Sequence, residues 1–273
     1  MAITSNTNDI PTKQELSIQI SLSGLSFCIL QRDTKTISVL RDYNFNKKLN
    51  HHDVLDKLKH LFNTESFLQY NFSNVQVIHV NELSTLVPKS LFDEHFLADY
   101  LKFNSKILKS DFIAFDTIEI NDTANVYVPY VNINNFIYDM FGAFTYKHVS
   151  TILIEQLLII EKNSESIKVY VHVSQNHFEI IVINKGKLIF YNTFEYCSEE
   201  DFIYYILFTA EQLKLNPETL QLIFLGNIQK DDALYTMAYK YIRHIEFGNR
   251  QENFIYLEKP QTNHSNFTLI KSF

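Results

Sequence analysis

Hydrophobic and polar positions between residues 168 and 247 alternate in blocks that define an ordered set of elements. Val169, Val171 and Val173 share one face of a strand at 168–174, and Tyr170, His172 and Ser174 share the other. A second run at 178–184 carries Phe178, Ile180 and Val182 on one face. Ile181 and Ile183 are apolar as well, so both of its sides are expected to be covered. A third run covers 187–194. Gln175–His177 and Lys185–Gly186 are polar breaks of hairpin length. Period 3.6 then takes over: Phe202, Ile206, Ala210 and Leu213 form one stripe, with Ser198 as cap and Glu199, Glu200 and Asp201 in the first turn. A buried strand at 220–225, a helix at 231–241 and a short strand at 243–247 complete the unit.

The first part of the chain opens in the same order. Strand runs at 16–22, 25–31 and 35–43 precede a helix at 50–62, with stripe Val54, Leu58, Leu61 and Phe62, and a strand at 75–80. Between the two units lies a different block: a hairpin at 112–119 and 125–130, a helix at 131–141, a strand at 146–150 and a helix at 151–161. The pattern predicts an α/β protein of two duplicated lobes, each a mixed sheet flanked by helices. The expected divisions are a flexible segment at 1–15, a first lobe at 16–161 with its variant block at about 111–161, a second lobe at 167–247, and a tail at 248–273. Polar residues 161–166 mark the boundary.

Composition narrows the function classes. The 273 residues carry a net charge of −7, and the lysines are interleaved with acids, so no basic field is available for a phosphate backbone. Nucleic acid is therefore not an expected partner; protein is. No apolar run approaches the ~20 residues of a membrane span, and the polar start lacks the features of a secretory signal. Cys28 and Cys197 have no metal-type spacing and read as reduced thiols. These features together lead us to expect a cytoplasmic protein. Five glycines in the whole chain make each survivor informative.

Leu86-Val87-Pro88 with Leu91-Phe92, Asn125-Val126-Tyr127-Val128-Pro129, Asn192-Thr193-Phe194 and the run Glu200-Asp201-Phe202-x-Tyr204-Tyr205 resemble a bacterial domain-of-unknown-function family with an actin-like ATPase (ribonuclease H-like) fold. The element order resembles the wider actin/Hsp70/sugar-kinase superfamily. That resemblance implies two lobes clasping ATP, with Asp-x-Gly hairpins facing the phosphates and Mg²⁺. Here the first hairpin reads Ser21-Leu22-Ser23-Gly24-Leu25-Ser26, with the glycine and without the aspartate. The second reads Ser174-Gln175-Asn176-His177, with neither. The adenosine loop corresponds to Phe224-Leu225-Gly226-Asn227, with one glycine of a pair.

The resemblance therefore implies a cleft remnant at Ser23, Gly24, Ser26, Asn176, Gly226 and Asn227. We expect no catalytic residues and no metal site, in a neutral, amide-lined groove that both hairpins face and that Gln175, Asn176 and His177 partly fill. Two readings stay open. One is a non-catalytic pseudo-ATPase acting as an interaction or assembly scaffold without a cofactor; the other is an atypical protein that senses ATP.

Other constellations have ordinary explanations. His51-His52-Asp53 begins a helix, where adjacent side chains diverge. His172 lies on one strand face and His244-x-Glu246 places two polar groups on the same face of a short strand, which suits a His–Glu hydrogen bond or a surface pair. Tyr204 and Phe208 form a surplus aromatic face, expected against the other lobe or a partner.

Overall fold

The computed structural model describes residues 13–273, so the expected flexible segment at 1–15 lies, up to residue 12, outside the described residues. The first lobe opens with β1 (Gln14–Ile20), β2 (Gly24–Gln31) and β3 (Thr36–Asn44), followed by α1 (His51–Thr64) and β4 (Asn74–His79). A small three-stranded sheet comes next, built from β5 (Ser84–Pro88), β6 (Ala114–Ile118) and β7 (Thr123–Tyr127), with the short α2 (Leu97–Leu101) against it. Then α3 (Val131–Phe141), β8 (Thr145–His148) and α4 (Val149–Ile160) lead to the second lobe. That lobe contains β9 (Ile167–Val173), β10 (His177–Asn184), β11 (Lys187–Glu195), α5 (Glu199–Gln212), β12 (Gln221–Gly226), α6 (Ala233–Tyr241) and β13 (His244–Phe247). The chain closes with β14 (Ile255–Tyr256) and α7 (Phe267–Lys271).

The duplication is close in detail. β1 and β9 have 7 residues, β2 and β10 have 8, β3 and β11 have 9, α1 and α5 have 14, and β4 and β12 have 6. The sheet orders β3-β2-β1-β4-β8 and β11-β10-β9-β12-β13 correspond element by element. Even the irregularities match, since β2/β3 shift register at Ile29/Leu30 and β10/β11 at Val182/Ile183. The alternation read from sequence sets the layers. Val169, Val171, Val173, Phe178, Ile180 and Val182 face α5 and α6, while Tyr170, Ile181 and Ile183 face inward to a core shared by both lobes. α4 lies in that shared core: Ile152, Leu153, Ile154, Leu157 and Leu158 are buried there with Cys28 and Leu30 of the first lobe.

Two features depart from the expectation. β5 joins the expected hairpin as a third strand by pairing with β7. Residues 248–273 are also more than a tail, because they return to the first lobe as a strap. Ile255 N–H donates to Lys35 O at 2.9 Å and Leu257 N–H to Ile37 O at 3.0 Å, so β14 covers the edge of β3. The Glu258 carboxylate accepts the Leu40 N–H at 2.8 Å and pairs with Arg41. The physical reason is apolar burial: Phe267, Leu269 and Ile270 of α7 are almost fully buried in the shared core. Arg250, itself buried, donates to the Thr262 and Ser265 carbonyls and holds the strap's return turn.

Candidate functional site: the cleft between the lobes

Three backbone turns meet at one cleft of about 480 Å³. It is lined by Ser21, Ser23, Gly24 and Ser26 from the first hairpin, and by Ser174, Gln175 and His177 from the second. Gly226, Asn227 and the strap residues Gln261, Thr262 and Ser265 form further parts of its wall. The structure thus brings together five of the six sequence-derived site residues. Asn176 instead lines a smaller adjoining recess with Lys48, Glu82 and Glu195.

Several backbone N–H groups of these turns are engaged by other protein groups. In the first, Ser21 N–H and Ser21 Oγ–H both donate to Gly24 O, at 3.0 and 3.1 Å, and Ser23 N–H donates to Ser21 Oγ at 3.2 Å. In the second, Ser174 N–H donates to His177 O at 2.9 Å, and the Tyr196 hydroxyl donates to Ser174 O at 2.8 Å. Gln175 does part of the expected filling by crossing to the first lobe, where its amide donates to Phe45 O at 3.1 Å. At the third turn Gly226 N–H donates to His264 O of the strap at 2.9 Å, and Asn227 N–H donates to Val173 O at 2.7 Å. A phosphate loop needs such N–H groups free and pointing outward.

Packing accounts for both surviving cleft glycines. Gly226 has φ +80°, and a Cβ there would sit 2.3 Å from Val173 O. A Cβ on Gly24 would sit 2.9 Å from Tyr43 O. Each position demands glycine for close backbone approach, whatever the cleft holds.

The expected neutral groove needs correction, because two carboxylates line it, Asp42 and Asp232. Asp42 lies opposite Ser26 across the β2/β3 ladder, accepts its hydroxyl at 2.5 Å, and takes the Asn266 amide at 3.0 Å. Asp232 accepts Gln229 N–H at 2.7 Å. Among the described residues, no lysine or arginine lines this cleft. Phosphates placed here would meet Asp42 and Asp232 with no lysine or arginine to offset them. Among the described residues, no three His, Cys, Asp or Glu side chains converge as a metal site.

Behind the second hairpin a buried carboxylate sits between two histidines. Glu179 on β10 pairs with His172 on β9 at 2.9 Å and approaches His177 Nε2 at 3.5 Å. Burial alone would raise the Glu179 pKa, but the two histidines more than offset it and hold the carboxyl far below the ordinary range. Burial likewise pulls His177 down, and the Glu179 carboxylate reverses this, leaving its pKa raised. The expected His–Glu hydrogen bond thus exists for His172, with Glu179 as partner. His244 and Glu246 stay exposed on β13. His52 and Asp53 are helix-start residues whose N–H groups are capped by Asn50. Tyr204 and Phe208 are 59% and 44% exposed, so the surplus aromatic face does not pack on the other lobe.

Sequence reasoning missed Asp42, Asp232, Glu179 and the strap residues. Strand register offered a signal for Asp42 opposite Ser26 and for Glu179 opposite His172. Nothing in the local pattern pointed to the strap.

Comparison with solved structures places the fold. The chain is similar to a protein from Bacteroides thetaiotaomicron VPI-5482 described as having an actin-like ATPase fold and unknown function. The TM-score is 0.78 at 24% identity, over 89% of this chain and 93% of that one. It is also similar to a chain of the PilM-PilN type IV pilus biogenesis complex, with TM-score 0.60 and 12% identity over 95% and 97% of the two chains. The ethanolamine utilization protein EutJ from Carboxydothermus hydrogenoformans gives TM-score 0.52 at 8% identity, over 97% and 90%. No curated protein sequence matches the chain. No helix among the described residues is long and apolar enough to cross a membrane. The fold is the actin-like ATPase fold, and the match over residues 4–245 shows that the chain belongs to the family described as "Protein of unknown function (DUF3822)".

Proposed function

We propose that this protein is a non-catalytic actin-like protein that works as an interaction or assembly scaffold. The observation that carries the reading is the cleft chemistry. Where the fold's ATPases need carboxylate-held Mg²⁺ and free backbone donors, this chain has turns whose N–H groups are partly engaged, amide and hydroxyl side chains, and carboxylates, Asp42 and Asp232, already held by Ser26 and by the Gln229 N–H. The two lobes are also joined across the cleft by Gln175 to Phe45 and by Lys48 to Glu195 at 2.7 Å, which favours a fixed lobe arrangement over opening and closing. A pilus-biogenesis complex of the same fold is a precedent for assembly at the level of fold only.

The test is ATP turnover and thermal shift by the purified chain at millimolar nucleotide, with and without Mg²⁺. Background turnover and an unchanged melting temperature are expected. Turnover that disappears in Asp42→Asn or Asp232→Asn would overturn the reading. The retained cleft volume supports a second reading, ATP sensing without hydrolysis. A saturable thermal shift without turnover would select it.

A further inference from the structure

The turn after β12 offers two backbone groups to its neighbours, and one strap residue takes both. Gly226 N–H donates to the His264 carbonyl at 2.9 Å, and His264 Nε2–H donates to the Ile228 carbonyl at 2.7 Å. The imidazole lies flat on the Phe247 ring, with centroids 4.5 Å apart and 21° between the planes, and only 6% of His264 is exposed. A flat nitrogen ring, stacked on an aromatic face and held to a loop by its edge, is how protein sites commonly hold a heteroaromatic ligand. Here the ring comes from the chain itself.

The first lobe shows the other way to fill such a slot. His79 ends β4 at the position that Gly226 holds on β12. Its imidazole accepts the Tyr130 N–H at 3.4 Å from the turn before α3, and meets the Tyr146 ring edge-on at 5.8 Å. Tyr146 pairs with Val77 of β4 as Phe247 pairs with Phe224 of β12. Each lobe therefore keeps an imidazole between a strand end, the turn into the next helix and an aromatic residue of the neighbouring strand. In the first lobe the strand itself carries that imidazole, so the ring cannot leave. In the second the strand has glycine, and a segment from the far end of the chain supplies the ring.

That segment also borders the cleft. Gln261, Thr262 and Ser265, on either side of His264, line the cleft wall together with Gly226, Asn227 and Ile228. The Gly226 turn is the one that resembles an adenosine loop. A ring arriving there would find both backbone groups engaged and the Phe247 face covered.

We infer that His264 is an intramolecular ligand: with its own imidazole, the strap plugs a slot for a flat nitrogen heterocycle beside the Gly226 turn. This deepens the non-catalytic reading of the cleft and rests on it for what the closure means. Nucleotide assays on the wild-type chain test that reading, and ring binding to variants tests the plug, so the two fail separately.

The test is thermal unfolding of the full chain with imidazole as the probe, at pH 8, above the ordinary imidazole pKa of about 6.5. His264→Gly and His264→Ala should melt below the wild type, and imidazole should restore part of the loss saturably. At ten times its dissociation constant the probe should raise their melting temperature by roughly 2–5 °C, while the wild type, whose slot is full, stays unmoved. Circular dichroism follows folding, and a variant that is unfolded at room temperature should regain helical signal as imidazole is added. A histidine with a packing role alone would leave a hole that collapses or takes water, with no saturable recovery. No saturable response in either variant, folded or not, or an equal response in the wild type, would overturn the inference.

Discussion

The two lobes repeat strand for strand, yet they solve the same polar problem in opposite ways. The first lobe buries neutral histidines: His79 and His148 lie at the ends of β4 and β8, hydrogen-bonded to Asn134 Oδ1 and to Asn81 O respectively, each at 3.0 Å. The second lobe buries a carboxylate, Glu179, between His172 and His177 at the tip of its first hairpin. They also finish their edges differently, with β3 under the strap and β11 bare. At corresponding positions of β4 and β12 stand His79, paired to Ile20, and Gly226, paired to Val173. Duplication has preserved lengths, order and register, while the groups at the strand ends, where a nucleotide site would be built, have diverged. The backbone framework is therefore a poor guide to the chemistry of this cleft.

The largest expected effect tests the strap. Phe267→Ala removes a fully buried ring from the shared core and should cost about 3–5 kcal/mol in chemical denaturation. Hydrogen exchange should show protection falling first in β2, β3 and α4, with β10 and β11 less affected. Phe208→Ala, on the exposed face of α5, should stay within about 0.5 kcal/mol. Equal losses in the two variants would show that the strap is not what distinguishes the lobes.

Acid should separate the lobes next. Burial, reinforced by the nearby His148, lowers His79 to about 3, and burial lowers His148 to about 4. Both stay neutral in the folded protein while the unfolded chain takes up protons below its ordinary histidine pKa of about 6.5. Their contribution is present above that value and is lost as pH falls towards the folded values. At pH 5.5 the loss is about 1.4 kcal/mol for each histidine. His177 runs the other way. Its folded pKa is raised, so its contribution is complete below the ordinary histidine value and is lost as pH rises through the raised one. Between pH 7.5 and 5.5, above the ordinary carboxylate range, exchange protection should fall in β4 and β8 and hold or rise in β9 and β10. Uniform loss across both sheets would contradict this account.

Much of the fold was legible because alternation and caps are local signals. The bounds of α3 were read directly, and α1 and α5 were found from Asn50, Ser198 and their buried stripes. The cleft was legible in outline, since order alone places the hairpins after β1 and β9 on a common face. Its charge was not, because Asp42 reaches the cleft from β3, and Asp232 from the loop before α6. The strap was illegible for a different reason. β14 has two residues and α7 has five, too short for any period to show, and both are stabilised by contacts with partners more than two hundred residues away. The meaning of Gly226 also depended on distant geometry. Its sequence context suggests a phosphate approach, whereas the Val173 carbonyl, which any Cβ at that position would meet at 2.3 Å, explains it by packing.

The smallest expected effect compares the caps of the two equivalent helices. In α1, Asn50 Oδ1 accepts the N–H groups of both His52 and Asp53 at 2.9 Å, and its amide donates to the Asp53 carboxylate at 2.8 Å. In α5, Ser198 Oγ accepts only the Asp201 N–H, at 3.2 Å. The reciprocal contact there, Cys197 N–H to the Asp201 carboxylate at 3.0 Å, does not involve the serine side chain and survives its removal. Three acids in the first turn of α5 also offset part of the helix dipole without help from the cap, against one acid in α1. Asn50→Ala should therefore cost about 1–1.5 kcal/mol and Ser198→Ala about 0.5 kcal/mol in denaturant unfolding. If the serine proved the costlier loss, the cap hydroxyl rather than the acidic turn would be what holds the start of α5, and the second lobe would be organised more like the first than its hydrogen bonds indicate.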